Sequence, residues 1–170
     1  MQATKNSRNL KVLLTLGGGG HRFQAIMLGR KLQTQCELSF VTGSGSSIPD
    51  DPLIESQTVM RIRDVSTMRI SGVLSRIGNT LAAVFDAYKV IRSVRPDIVV
   101  AIGTSLAVPL LLAAKILGKK TIFVESITRV NTPTTTGKIL SRLRFADRIY
   151  VQWPEAVRLY SRSHYAGSIL

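Results

Sequence analysis

The 170 residues carry 23 Lys+Arg against 10 Asp+Glu, a formal net charge of +13, and 45% of them are hydrophobic. That length suffices for one domain with its own core, and the charge favours an acidic partner: a phosphorylated substrate, nucleic acid or an anionic membrane surface. Aromatics make up only 6%, with no aromatic–basic interleaving to suggest a nucleic-acid platform; the single Cys36 excludes a disulfide framework; His21 and His164 lack neighbours at metal-ligand spacing, so neither metal nor cofactor is expected.

Residues 1–9 are polar, read as a flexible start, and leave no room for a signal-peptide core. Residues 11–16 predict a buried strand through Leu13, Leu14 and Leu16, and Gly17-Gly18-Gly19-Gly20-His21-Arg22 follows directly. Phe23, Ile26, Met27 and Leu28 then recur at helical spacing and predict a helix over 23–32. Strand, glycine turn and helix in that order suit an anion. Glycine permits positive φ and close approach, and a helix start offers unpaired N–H groups and the positive end of its dipole. A tight turn that binds nothing is the alternative reading.

Two familiar phosphate loops do not fit. A P-loop ends in Gly-Lys-Ser/Thr, whereas Gly20 is followed by His21-Arg22. A dinucleotide fingerprint needs a third glycine three residues after the second, but Gly17 and Gly19 lead to Arg22, and Gly18 and Gly20 to Phe23. The second strand, over 36–41, ends in Thr42-Gly43 with no acid for an adenosine ribose. Cys36 falls in that predicted strand and reads as a small buried residue, in a reducing compartment.

Residues 43–52 read as a loop, and a short strand over 58–62 follows. Arg61, Arg63, Arg69 and Arg76 then stand among Ile62, Met68, Ile70, Val73 and Leu74, which suits either a basic amphipathic segment in a lipid headgroup layer or a crossover helix with a solvated face. From Ile70 to Ile91 apolar residues recur at helical spacing, and over 81–91 they read as core.

Strand 97–102, helix 106–117 and strand 120–124 continue the alternation. The run 106–114 contains Pro109 and is about half the length that crosses a bilayer. Residues 131–137 are too polar and turn-prone to start a helix before Gly137; Leu140, Leu143 and Phe145 then predict one. Residues 148–153 read as the last strand, 155–163 as a short helix and 165–170 as a tail. The expected fold is α/β, a Rossmann-like parallel sheet with helices on both faces, whose loops at 17–21, 103–105 and 125–129 gather beyond the carboxyl ends of the strands.

Gly18-Gly19-Gly20-His21, Arg95-Pro96-Asp97, Val124-Glu125-Ser126 with Arg129-Val130, Gly137-Lys138, Ala146-Asp147-Arg148 and Val151-Gln152-Trp153-Pro154 occur in that order. Together they resemble the asparagine-linked glycosylation protein 14 family, including its bacterial exopolysaccharide members of the PssD and CpsF type, over nearly the whole chain. The resemblance implies the acceptor half of a GT-B glycosyltransferase, similar to the amino-terminal domain of MurG. It implies a subunit inactive alone, working with a donor-binding catalytic partner. The pair would transfer a sugar, with inversion, from a UDP-sugar to a polyprenyl-diphosphate-linked saccharide in exopolysaccharide or capsule assembly. No counterpart of the eukaryotic amino-terminal anchor is read here, so the implied location is peripheral, on an anionic membrane surface at the cytoplasmic face of the plasma membrane, with no role for nucleic acid.

Carried over residue by residue, the resemblance implies that Gly18, Gly19 and Gly20 cradle the acceptor diphosphate, that His21 sits beside the acceptor hydroxyl or diphosphate, and that Glu125 and Arg129 line the same cleft. His21 and Glu125 are thus the catalytic candidates. His21 reads either as a base or as a neutral donor to phosphate; Glu125 alternatively caps a turn or pairs with Arg129. Peripheral docking falls on Arg61, Arg63, Arg69 and Arg76, and contact with the partner on Trp153, Tyr165 and Leu170. Two competing readings are a membrane scaffold whose partner supplies every catalytic group, and a nucleotide-binding Rossmann module.

Overall fold

Runs of Val, Ile and Leu without polar alternation require burial on both faces, and a parallel sheet sandwiched between helices supplies it. The computed structural model describes residues 9–65 and 73–170, the side chains of 73–76 excepted. Among them, strands β1 (Leu10–Thr15), β2 (Cys36–Gly43), β3 (Thr58–Ile62), β4 (Ile98–Ile102), β5 (Lys120–Val124), β6 (Arg148–Val151) and β7 (Ser163–Tyr165) form one sheet in the order 3-2-1-4-5-6-7. Every pairing is parallel. The expected α/β architecture is present, and the order reverses between β1 and β4, where such sheets open a crevice.

Helices α1 (Gly20–Leu32) and α2 (Pro52–Glu55) cover one face, packing Ala25, Ile26, Leu53 and Ile54 on Leu14, Phe40 and Val100. Helices α3 (Val73–Val94), α4 (Ala107–Ile116) and α5 (Thr135–Arg142) cover the other, around Leu13, Val99, Ala101 and Phe123. α4 is apolar all round because it is wedged between the sheet and α3, with Leu110, Leu111, Ala113 and Ala114 fully buried.

Five local expectations are corrected. Within 43–52, Asp51 accepts from Leu53 N at 3.0 Å and Pro52 takes the first helical position, so α2 starts where only a loop was read. Thr134 accepts from Gly137 N at 2.9 Å and starts α5 at Thr135, ahead of Gly137. The stretch read as a helix over 155–163 is a 3-10 turn (Pro154–Leu159), and Tyr165, read as tail, belongs to β7. On α3 the core side is Ala83, Ala87, Val90 and Ile91, while Ile77, Leu81 and Phe85 are 52%, 63% and 58% exposed. Periodicity alone does not separate two apolar stripes on one helix.

One device recurs at the amino-terminal edge of the sheet. Asp97 N donates to Lys11 O at 2.8 Å while Lys11 N donates to Asp97 Oδ2 at 3.0 Å. Asp147 N donates to Thr121 O and Thr121 N to Asp147 Oδ2, both at 2.9 Å. Each aspartate clamps the neighbouring strand and fixes register. Burial by itself would raise the Asp147 carboxyl, but hydrogen bonds from Lys115 and Thr121 and the charge of Lys115 hold it below the usual carboxylate range. A group depressed on folding stabilises above its unfolded pKa of about 3.9, and loses that contribution as pH falls through its folded value. Asp147→Ala is therefore expected to cost about 1–2 kcal/mol in urea unfolding at pH 7. The gap should narrow as pH drops below about 4; equal gaps at pH 7 and pH 3 would rule out the charged clamp.

Candidate functional site

β1 delivers Gly17 to the crevice, and the end of that strand is fixed from both sides. Thr42 Oγ1 donates to Leu16 O at 2.8 Å, and Thr15 Oγ1 accepts from Ile102 N at 3.0 Å. Gly17 is buried against His21 and Thr104, whereas Gly18, Gly19 and Gly20 are exposed, with open space where a side chain would stand. Gly19 turns with φ of 55° and precedes a 13-residue helix that has no side-chain cap and no acid in its first turn. Its first N–H groups therefore face the opening without an intrahelical partner, at the positive end of the dipole. Arg22 braces the turn from behind, donating from Nε to Gly17 O at 3.3 Å and from Nη1 to Ser47 Oγ at 3.4 Å.

His21, in the first turn of α1, lies across the crevice against the turn after β4. Gly103, at φ 53°, leaves the room it occupies: a Cβ there would stand 2.5 Å from His21 Nε2 and 3.2 Å from Ser126 Cβ. The imidazole is half-buried. Burial lowers its pKa below the ordinary value, the charge of Glu125 pulls it up, and that of Arg129 pushes it down again. At neutral pH the ring is neutral and has a free lone pair.

Glu125, at the end of β5, is fully buried. Its Oε1 accepts from Ser126 N at 2.8 Å; its Oε2 accepts from Thr134 N at 3.2 Å, from Thr134 Oγ1 at 2.9 Å and from the Tyr160 hydroxyl. Every oxygen is engaged internally, so the carboxylate anchors the 125–134 loop and adds negative charge beneath His21 without facing the crevice. Burial, then Glu125, raises the Tyr160 hydroxyl well above its usual range, keeping it a donor. Gly137 makes the cluster possible, since a Cβ there would stand 2.7 Å from Tyr160 Cζ and 2.9 Å from Glu125 Oε2. Arg129, exposed on the same loop, keeps its guanidinium within electrostatic reach of His21.

Sequence reading brought the 103–105 loop here without giving Gly103 a role, and missed Gln24, Gln152 and Tyr160 as parts of this site. Gln24 and Gln152 are buried amides joined at 2.6 Å. Their signal was polarity at positions whose neighbours were assigned to the core, visible only once α1 and the end of β6 are brought together.

The remaining expected residues lie elsewhere. Trp153 and Tyr165 are exposed just beyond and at the ends of adjacent strands, with Trp153 Nε1 donating to Ile127 O at 2.6 Å, and Leu170 is exposed at the end of the chain. Arg61 Nη1 donates to Ser44 O at 3.2 Å and Ser46 O at 2.9 Å, and Arg63 pairs with Asp86 at 3.6 Å. Ser44, Arg61, Ile62, Arg63, Asp86, Lys89 and Val90 line a cavity of about 400 Å³ of mixed polarity beside α3. Arg69 and the side chain of Arg76 lie outside the described residues. Among the described residues there is no acid, histidine or cysteine group able to hold a metal, and no helix is long and apolar enough to cross a membrane.

The family described as "Oligosaccharide biosynthesis protein Alg14 like" matches residues 12–169. The UDP-N-acetylglucosamine transferase subunit ALG14 of Yarrowia lipolytica is 30% identical over 182 residues, covering 95% of this chain and 82% of that protein. The human protein of the same name is 29% identical, with coverage of 95% and 84%. A UDP-N-acetylglucosamine–N-acetylmuramyl-(pentapeptide) pyrophosphoryl-undecaprenol N-acetylglucosamine transferase of Chlorobium luteolum is 34% identical over 157 residues, covering 86% of this chain but only 42% of that one. In three dimensions the chain superposes on Acinetobacter baumannii MurG with a TM-score of 0.72 at 22% identity, covering 94% of this chain and 44% of that one. The fold is that of the amino-terminal half of a GT-B glycosyltransferase.

The packing of His21 on Gly103 sets a measurable titration. Ring-proton NMR of wild-type protein should place His21 below its ordinary pKa of about 6.5. Gly103→Ala should expel the ring and return it to that value. Arg129→Ala should raise it within the native site, because a positive neighbour is removed. An unchanged titration in both variants would contradict the arrangement.

Proposed function

The chain belongs to the Alg14-like family of oligosaccharide biosynthesis proteins, and on that premise we propose that it is the acceptor-binding subunit of a two-component inverting glycosyltransferase. The glycine turn holds the diphosphate of a polyprenyl-linked saccharide, and a separate donor-binding subunit brings the UDP-sugar. The observation that carries this reading is the uncapped start of α1, open above Gly18, Gly19 and Gly20 and flanked by His21 and Arg129. Relatives whose names specify UDP-N-acetylglucosamine transfer support that sugar nucleotide as the first donor to test. The bacterial relative named for a pyrophosphoryl-undecaprenol acceptor supports a polyprenyl carrier; capsule or exopolysaccharide assembly is the setting we propose for it.

In this mechanism the amides of the turn and Arg129 neutralise diphosphate charge and orient the acceptor. His21, neutral at working pH, accepts the proton of the acceptor hydroxyl as that oxygen attacks the anomeric carbon and the nucleoside diphosphate leaves. The buried Glu125 charge steadies the imidazolium that results, a positioning role exercised through His21 rather than on substrate.

Membrane docking is assigned to α3 together with the rim of β3. Ile77, Leu81 and Phe85 present an apolar stripe, Lys89 covers the Phe85 ring at 4.4 Å, and Arg61 and Arg63 lie beside the same helix. Such a surface buries its apolar side in the interface while its cations meet lipid phosphates.

Reconstituted with its donor-binding partner on a diphosphate-linked sugar lipid, the wild-type chain should support transfer that it cannot perform alone. His21→Ala should lower kcat roughly 100-fold or more. The wild-type rate should climb with pH through the His21 pKa and then level off. Unchanged turnover in His21→Ala would favour the scaffold reading, and transfer by the isolated chain would overturn the two-component reading. Leu81→Ser with Phe85→Ser should release the chain from anionic vesicles in flotation without altering its melting temperature; continued flotation would remove α3 as the docking face.

A further inference from the structure

Behind the glycine turn runs a buried line of amides that reaches the end of the chain. Gln24 Nε2 donates to Gly20 O at 3.2 Å, and Gln24 Oε1 accepts from Ile127 N at 3.2 Å and from Gln152 Nε2 at 2.6 Å. Gln152 Nε2 also donates to Glu125 O at 2.9 Å, while its Oε1 accepts from Ile169 N at 3.1 Å and from Ser168 Oγ at 3.4 Å. The backbone N–H groups of Ile127 and Ile169 can only donate, which fixes the orientation of both amides. Gln152 uses both protons and both lone pairs, so neither end can shift without unpairing a buried group.

The far end of this line is a short, mostly exposed segment. Residues 164–168 and Leu170 are exposed, Gly167 turns at φ 94°, and only Ile169 is buried, with its carbonyl accepting from Lys31 Nζ at 2.7 Å. Beneath it lies a largely apolar cavity of about 400 Å³ walled by Leu28, Ile122 and Tyr150. The segment is thus seated by one buried side chain and by polar bonds to Gln152 and Lys31, few enough that it can open locally.

We infer that Gln24 and Gln152 are positioning residues that couple the seating of Ser168–Ile169 to the shape of the glycine turn. A protein that takes hold of the carboxyl-terminal segment therefore changes the anion cradle on the other side of α1. That functional meaning rests on the reading of the turn as a diphosphate site; the coupling itself does not.

Amide hydrogen exchange on the 170-residue chain, without ligand, tests it. Ile169→Ser removes the apolar anchor at the end of the segment and should speed exchange at Arg22 and Phe23, whose N–H groups donate to Gly19 O across the turn, by about tenfold. In a Gln152→Leu background, where the line is already cut, Ile169→Ser should add nothing. Gln24→Met provides a second background should Gln152→Leu fail to fold, and is expected to abolish the increment equally. Unchanged exchange at the turn in Ile169→Ser, or the same increment with and without the glutamine, would overturn the inference. Titration with inorganic pyrophosphate separates the two readings: coupled exchange in a wild-type chain that takes up no pyrophosphate sustains the coupling and defeats the diphosphate assignment instead.

Discussion

A turn made of glycines cannot hold its own shape. It has no side chains to pack, its backbone is freer than that of any other residue, and the amides it exposes would close on local acceptors if the chain let them. The constraint behind this molecule is that the turn after β1 stays open because its surroundings hold it. Arg22 holds it through Gly17 O, Gln24 through Gly20 O, and His21 by filling the space that Gly103 leaves. The openness is a property of three helix residues and one glycine in the turn after β4.

That bracing works only if β1 and β4 meet in the right register, and the sheet fixes the register at the opposite rim. The reciprocal bonds of Asp97 with Lys11 and of Asp147 with Thr121 set where the strands begin. Strand lengths then carry the placement to the carboxyl ends. A shift of one residue would invert every side chain on a strand and move Gly103 away from His21. Stability and site geometry thus share one origin, the alignment of parallel strands whose loops all open on one rim.

The fold was legible because its strands are short, apolar and separated by helical spacing, which admits few arrangements other than a parallel sheet covered on both faces. Gly18, Gly19, Gly20 and His21 were legible as a unit because glycines between a strand and a helix have few other uses. Capping signals at Asp51 and Thr134 were present but lay inside polar loops, where the same residues also favour turns. Glu125 shows why a charged residue in a motif is not by itself a surface group. Nothing local announces that Tyr160, 35 positions later, supplies a hydroxyl that turns its carboxylate inward. Gln24 and Gln152 were hidden for the same reason, since their partnership spans 128 positions.

The exposed stripe on α3 and the glycine turn belong to one geometric argument. β3, β2 and β1 are adjacent and parallel, so Arg61 and Arg63 near the end of β3 stand on the same rim as the turn after β1. Neighbouring strands are about 4.8 Å apart, which puts the two sites roughly 10 Å apart along that rim. On the proposed function, a polyprenyl chain entering the bilayer beside Ile77, Leu81 and Phe85 can leave its diphosphate at the α1 terminus without the protein submerging its crevice. The apolar stripe would then face acyl chains, the arginines the headgroup layer, and the uncapped helix the aqueous boundary where a water-soluble sugar nucleotide arrives. One parallel sheet sets all three heights.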